Sequence, residues 1–421
     1  MLSMRITGGK YCNRKVLIPT GELEIRPAMD RMRESVFSII GDFNYGTTLG
    51  YMFNGAFGNK SNIDQTILNM MLLLILALGL IPVFKMRYWN TGALGQALIG
   101  NACASLVIFY GGPAINNNVL TLILALLAAI IGGGIWGGIP GIFKAKINAN
   151  ETLFTLMMNY IATQIVLIVK EVMKNGQQSL PPFSTGKLSP ILGTQYGWAI
   201  IITFIVALFM WIYMKFSKHG YELEVLGDSF NTAKYAGIDT NKVIIRTAIL
   251  SGAICAICGF LFTASNATID TTSDGGYGFT AIIVTWSSHF SILGMIIISF
   301  IITFFKMGAD AVKNKASEKM NDFATYIAVG IFLLLLIGCE FFLNYKFAPT
   351  SKYAKIQEQK KKKLYEKNPK FWNTVEVVKL NVKNFFDKIS KFFEKIKETI
   401  ENAIWFVFEK ISSIFSRKGE K

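Results

Sequence analysis

Eight apolar runs divide this chain, at about residues 65–84, 94–110, 119–143, 152–169, 196–215, 243–264, 278–305 and 324–343. Several reach the ~20 residues that cross a hydrocarbon core of about 30 Å. A water-soluble core built from 421 residues has no use for so many, and hydropathy windows of this length identify a multi-span membrane protein. Composition agrees, with 52% apolar residues, 33 Phe and a mean hydropathy of +0.40. The fold class is therefore an all-α polytopic membrane protein, preceded by a short soluble block and followed by a basic tail.

The loops between runs carry charge in alternation. Lys85 and Arg87, then Lys144 and Lys146, then Lys215, Lys218, Lys234 and Lys242 fall in alternate loops, while GGPAINNN and SNATIDTTSDGG hold neither Lys nor Arg. By the positive-inside rule the basic loops are cytoplasmic. The loop KEVMKNGQQSLPPFSTGKLSP, with three Lys and one Glu, is an exception among the outside loops that does not reverse the alternation. Residues 65–84 then run from outside to inside, which leaves residues 1–42 outside although Met1 to Lys15 contain no apolar segment of a cleavable signal peptide.

At the other end, 18 Lys and Arg face 9 Asp and Glu from Ser351 onward. A tail with that balance seeks an anionic cytoplasmic surface. Placing it inside requires that 278–305 be two broken segments that enter and return, leaving Lys306, Lys313, Lys315 and Lys319 outside.

Two stretches interrupt the apolar pattern. WNTGALGQALIG, from Trp89 to Gly100, sets Asn90 and Gln96 among three glycines, and GGYGFTAIIVTWSSHFSILG, from Gly275 to Gly294, breaks a second run. Polar, irregular backbone at membrane depth belongs where it is buried in protein or lines a wet cavity, and a pair of Gly-broken segments points to a transporter's midplane site. Close helix packing by Gly92, Gly95 and Gly100 is the other reading. Asn159 suits either role, and His289, which stands alone in its run, is read as an interfacial or packing residue, with a proton relay as the alternative.

Covalent chemistry finds no constellation here: there is no Ser, His and Asp arrangement, no GxxxxGK[ST] loop and no paired intramembrane carboxylate. The one CxxC pair, Cys255 and Cys258, lies inside an apolar run with no second ligand pair, and reads as small packing residues rather than a metal site. Between two later runs, a short helix at Asn231 to Tyr235 followed by Gly237, which can end a helix, makes a compact cytoplasmic knob that a partner could grip.

FKMRYWNTGALGQ, ANETLFTLMMNYIA, GDSFNTAKYAGI, SGAICAICGF and GYGFTAIIVTW occur in an order that resembles the inner-membrane permeases of ATP-binding cassette (ABC) importers for nucleosides and some sugars. The resemblance covers about residues 46–345. It implies a type II importer permease fold of about eight to nine spans with broken helices, a second permease subunit as homo- or heterodimer, ABC ATPase subunits and an extracytoplasmic substrate-binding lipoprotein. No cofactor is implied for this chain, since the partner subunits hydrolyse ATP. Asn90, Gly92, Gly95 and Gln96 match the family's NxGxxGQ signature. With Trp89, Asn159, Gly278, Phe279 and Thr280 they form the expected substrate pathway. Gly227, Asn231, Ala233, Tyr235, Ala236, Gly237 and Ile238 match the motif that couples to the ATPase. The family usually carries an acid where this chain has Leu94, a polar residue or Pro where it has Phe230, and a further span before YMFNGAFGN.

In place of that span, RPAMDRMRESVF resembles the N-terminus of small-subunit rRNA guanine methyltransferases, without the AdoMet-binding and catalytic motifs that should follow. About 40 residues bury too small a core to stand alone, so no methylation is expected. The expected domains are 1–42, a truncated methyltransferase-like fragment; 46–346, the permease; and 347–421, the tail. In that tail Val382 to Phe415 carry one apolar stripe at spacings of three and four, which reads as an interfacial membrane helix, with a coiled coil as the alternative. Its lipid contact makes nucleic acid an unexpected partner. An rRNA methyltransferase and a non-functional junction of two genes are the competing readings of the whole chain.

Overall fold

The computed structural model describes residues 3–5, 15–17, 45–181, 183, 185–191, 194, 196–271, 276–315 and 329–335. Ser3–Arg5 (β1) and Lys15–Leu17 (β2) pair antiparallel with Ser3 opposite Leu17. The chain divides into two compact units, residues 1–340 and 341–421. The second unit, with the predicted amphipathic tail, lies outside the described residues.

Helices and the segments that connect them build the rest of what is described. The helices are α1 (Tyr45–Phe57), α2 (Lys60–Lys85), α3 (Ala93–Leu106), α4 (Asn118–Ile147), α5 (Glu151–Lys174), α6 (Gly197–Phe216), α7 (Lys218–Asp228), α8 (Phe230–Tyr235), α9 (Thr240–Asn266), α10 (Gly278–Ser287) and α11 (Ile292–Lys315). Beyond Leu106, α3 continues through a π-helical segment, Val107–Gly111, to a last turn at Ile115. Among the described residues, seven helices are long and apolar enough to cross a membrane. The eighth predicted run is described only over residues 329–335, which are helical.

Local chemistry sets the boundaries. Asn117 accepts from the amides of Val119 and Leu120 at the start of α4, and Asn150 from that of Leu153 at the start of α5, each oxygen satisfying a donor that a helix leaves unpaired. Asn148 and Asn175 end the same two helices in the left-handed conformation, which Asn tolerates better than most residues.

Helices α2 and α9 form the centre. In their most apolar windows 78% and 72% of residues are buried, against 28% in α4, α5, α6 and α11. An apolar surface around the whole circumference is what such central helices need. Helix α9 packs closely on α4 through glycine: a Cβ on Gly133 would sit 2.2 Å from that of Ala256, and one on Gly252 only 2.2 Å from the carbonyl oxygen of Gly133. The cysteines of the CxxC pair are part of this packing. Both are buried, and Cys255 lies against Gly79 of α2.

The predicted break in 278–305 is present. Helix α10 has 10 residues, too few to span, and a turn at Ser288–Ser291 with His289 and Phe290 at positive φ joins it to α11. Lys306 of α11 lies 4.0 Å above the ring of Tyr277, the residue before α10. The two helices therefore run back alongside each other as a hairpin, α10 tied to α2 by the Thr285 hydroxyl on the Ala77 carbonyl at 3.1 Å. The second arm is longer than expected, because the apolar run continues into a polar last turn. His289 sits in this turn, at the bend between α10 and α11. Helix α1 packs on the far part of α11, Phe57 stacking on Phe304 and Gly55 meeting Ala311.

Candidate functional site

Between α2 and α3 the chain turns in a short segment, residues 86–92, and α3 begins with its first amide donors away from water. Those donors are met by side-chain amides. Asn90 Oδ1 accepts from the Gly92 amide at 2.9 Å, and Asn159 Oδ1, reaching across from α5, accepts from the Gly95 amide at 2.8 Å. Asn159 also donates to the Thr91 carbonyl at 2.9 Å. Asn90 Nδ2 donates to Ser251 of α9 at 3.2 Å and faces the Gln96 amide at 3.4 Å.

Five of the predicted pathway residues, Asn90, Gly92, Gly95, Gln96 and Asn159, thus form one buried knot joining α3, α5 and α9. Asn90 and Gln96 are only 1% and 2% exposed. Glycine is needed at 95 because a Cβ there would lie 2.8 Å from Asn159 Oδ1. The glycines of the segment therefore permit close approach, as the packing reading expects, and its amides cap a helix that starts inside the bundle.

Trp89 differs, being 46% exposed. Its ring stacks on Trp286 of α10 with centroids 5.3 Å apart and planes 16° apart, and Phe84 supports both. Gly278, Phe279 and Thr280 lie at the other end of α10 from Trp286. Phe279 is exposed, whereas Gly278 and Thr280 are buried. The stack is a direct contact of the two Gly-broken stretches, and it links α10 to the signature. Ser251, Trp286 and Thr155, whose hydroxyl accepts from the Thr91 amide at 3.1 Å, lie outside the expected set; the Ser within SGAICAICGF was the visible signal for the first.

A second polar knot lies further along α3. Asn101 Oδ1 accepts from Thr263 at 2.7 Å and from Ser105 at 3.1 Å, and its Nδ2 donates to the Asp270 carbonyl at 2.8 Å. Asp270 also pairs with Lys170 of α5 at 3.3 Å.

The predicted coupling motif forms a knob on the side of the basic loops. Ser229 caps α8 by accepting from the Thr232 amide at 3.3 Å. Gly237, at φ +76°, ends it with the Ile238 amide on the Ala233 carbonyl and the Gly237 amide on that of Lys234, both at 3.0 Å, a Schellman closure. Ala233 is the buried anchor, while Asn231, Ala236 and Gly237 face outward and Tyr235 is 93% exposed. Gly227 at the end of α7 lies against the backbone of α2, where a Cβ would come 2.0 Å from the Lys85 carbonyl oxygen. Phe230, the departure from the expected polar residue, carries Lys234 Nζ 4.8 Å above its ring.

His219 ties the knob to the spans. It is buried, with Nδ1 against the Tyr213 hydroxyl of α6 and Nε2 3.2 Å from Thr247 of α9. Thr247 donates its own proton to the Val243 carbonyl at 2.6 Å, so its oxygen accepts from Nε2–H and Nδ1 accepts from Tyr213. That arrangement holds the neutral imidazole, and burial, with the Arg246 guanidinium as the second cause, keeps the pKa of His219 below its ordinary value.

Comparison with known proteins supplies the family. The guanosine ABC transporter permease protein NupP of Bacillus subtilis is 31% identical over 63% of this chain and 79% of its own length. The nucleoside ABC transporter permease protein NupB of Lactococcus lactis is 24% identical over 76% and 91%, and the glucose ABC transporter permease protein TsgB13 of Haloferax volcanii 24% identical over 70% and 81%. No solved structure matches the chain. Residues 4–56 match a separate family, conserved hypothetical protein 95, a match that includes α1 although α1 packs on α11. The model of the branched-chain amino acid transport system / permease component family matches residues 62–338, from α2 past the end of α11, and this multi-pass membrane chain belongs to that family.

Proposed function

We propose that the chain is the membrane-spanning permease subunit of an ABC importer for nucleosides or related sugars in the cytoplasmic membrane. The observation that carries this is the likeness to guanosine and nucleoside permeases, together with a family match over residues 62–338, which hold both the buried amide knot and the knob. The α7–α8 knob, with Tyr235 outermost, is the handle for an ABC ATPase subunit, and the chain itself hydrolyses nothing. Movement of the knob reaches the signature through the contact of Gly227 with Lys85, five residues before Asn90. A second permease subunit and a substrate-binding lipoprotein complete the importer, and the exposed Trp89 and Trp286 rings face the substrate. The domain division is 1–42, 46–346 and 347–421, with the basic tail on lipid.

The test is ATP-dependent uptake of labelled guanosine, ribose and glucose into vesicles carrying the chain with its ATPase and receptor. Uptake of a nucleoside or sugar that is lost when Gly237 is replaced by Val supports the reading, since a β-branched residue resists positive φ. Absence of uptake of all three overturns it, and AdoMet binding by the purified chain would favour the methyltransferase instead.

A further inference from the structure

Helix α7 lies between the outermost part of the knob and the spans. Its buried residues, His219, Gly220, Leu223, Leu226 and Gly227, fall at helical spacing on one face. Glycine fixes both ends of that face: Gly227 meets the backbone of α2, and a Cβ on Gly220 would come 2.5 Å from the Met214 carbonyl oxygen of α6. Such contacts resist compression only. His219 adds what they lack, because a hydrogen bond weakens steeply as its partners separate or turn. Its two ring nitrogens meet Tyr213 of α6 and Thr247 of α9, and among the described residues no other side-chain hydrogen bond joins α7 to a span. The ring is buried, so water does not replace either bond when α7 moves without its neighbours.

We propose that His219 is a positioning residue of the coupling step, a neutral imidazole that makes α6 and α9 follow α7 when the ATPase moves the knob. The proposal rests on the transport reading.

Neutrality is part of this role. Tyr213 donates to Nδ1 and Nε2–H donates to Thr247, so a further proton on Nδ1 turns the Tyr213 bond around and sets a buried charge beside Arg246 of α9. Burial and Arg246 oppose that charge, while Glu222 of α7 and the Val243 backbone favour it. Glu222 is itself shared with Lys218, 3.9 Å away. From α2 and α8, which also pack on α7, no charged group acts on the ring among the described residues. Coupling is therefore complete near neutral pH and is lost as the pH on the knob's side falls through the depressed folded value.

The test is uptake of labelled guanosine, ribose or glucose per ATP hydrolysed, in vesicles carrying the full-length chain with its ATPase and receptor and buffered on the knob's side. This ratio does not change with the amount of folded protein. His219→Leu, which removes both bonds, should lower it by about fivefold or more at about pH 7.5 while ATP hydrolysis continues. Tyr213→Phe and Thr247→Val, which leave the ring in place, should each lower it by about twofold, and they decide the matter if His219→Leu does not fold. Between about pH 7.5 and about pH 5 the parent's ratio should fall by about half or more, whereas that of His219→Gln, which takes up no proton, should stay level. A parallel fall in the parent and His219→Gln overturns the role, as does an unmoved ratio in Tyr213→Phe and Thr247→Val. Parent uptake with the variants unmoved removes the coupling role alone; no uptake of any of the three by the parent removes the transport reading, and the role with it.

Discussion

Asn159 shows how one amide can serve two elements. Its oxygen takes the Gly95 amide and its nitrogen gives to the Thr91 carbonyl, both away from water. Asn159→Leu strands both backbone groups at about 1–3 kcal/mol each, and should lower the thermal midpoint in detergent by several degrees. Asn159→Asp keeps the acceptor and should cost less; equal midpoints for all three proteins would remove the capping role. His219 gives the corresponding pH prediction. Because its folded pKa is depressed, the unfolded chain binds the proton more readily, and stability is full above about pH 6.5, falling as pH drops toward the folded value. Protonation would put a donor on Nδ1 against the Tyr213 hydroxyl, beside Arg246, with Glu222 and the Val243 backbone acting the other way. Thermal midpoints compared at pH 8 and pH 5 should fall more in the parent than in His219→Gln, and parallel losses would show that another group titrates.

At the scale of elements, the α4–α9 seam is the most exacting contact, because backbone meets backbone. A side chain at Gly252 has the Gly133 carbonyl at 2.2 Å and the Gly137 Cα at 2.9 Å, neither of which can rotate away. Gly252→Val should therefore reduce the yield of folded protein severely, whereas Gly134→Ala, whose Cβ would find its nearest neighbour at 3.5 Å, should be tolerated; equal yields would mean the seam can open. The glycines of GGGIWGGIPG carried no reading in the sequence, since a stripe of small residues does not name its partner and every span is apolar enough to have been it. The broken hairpin was legible from charge parity, and Lys306 over Tyr277 shows it. The amide knot was legible only in part. NxGxxGQ and Asn159 drew notice as polarity at membrane depth, whereas Ser251 and Trp286, two ordinary residues in apolar runs, become partners only through tertiary packing.

For the whole molecule, sidedness follows from helix lengths and contacts together. Helix α1 has 13 residues, about 20 Å at 1.5 Å per residue, too short to cross. It meets α11 at Phe304 and Ala311, and Asn69 near the start of α2 reaches Met307 at 3.4 Å. The start of α2 and the far part of α11 therefore share a side, opposite Lys85 and the knob. If the basic loops are cytoplasmic, residues preceding α1 with no apolar run of their own lie outside. Cys12 provides the handle in a chain whose Cys339 is replaced by Ser, since Cys255 and Cys258 are buried and Cys103 is half-buried. Intact cells treated with a membrane-impermeant maleimide should label the chain, and Cys12→Ser should remove most of that signal. Labelling of Cys12 only after the cells are opened would invert the N-terminal block, and with it the assignment of the knob's side would have to be reconciled with a crossing that no helix among the described residues before α2 is long enough to make.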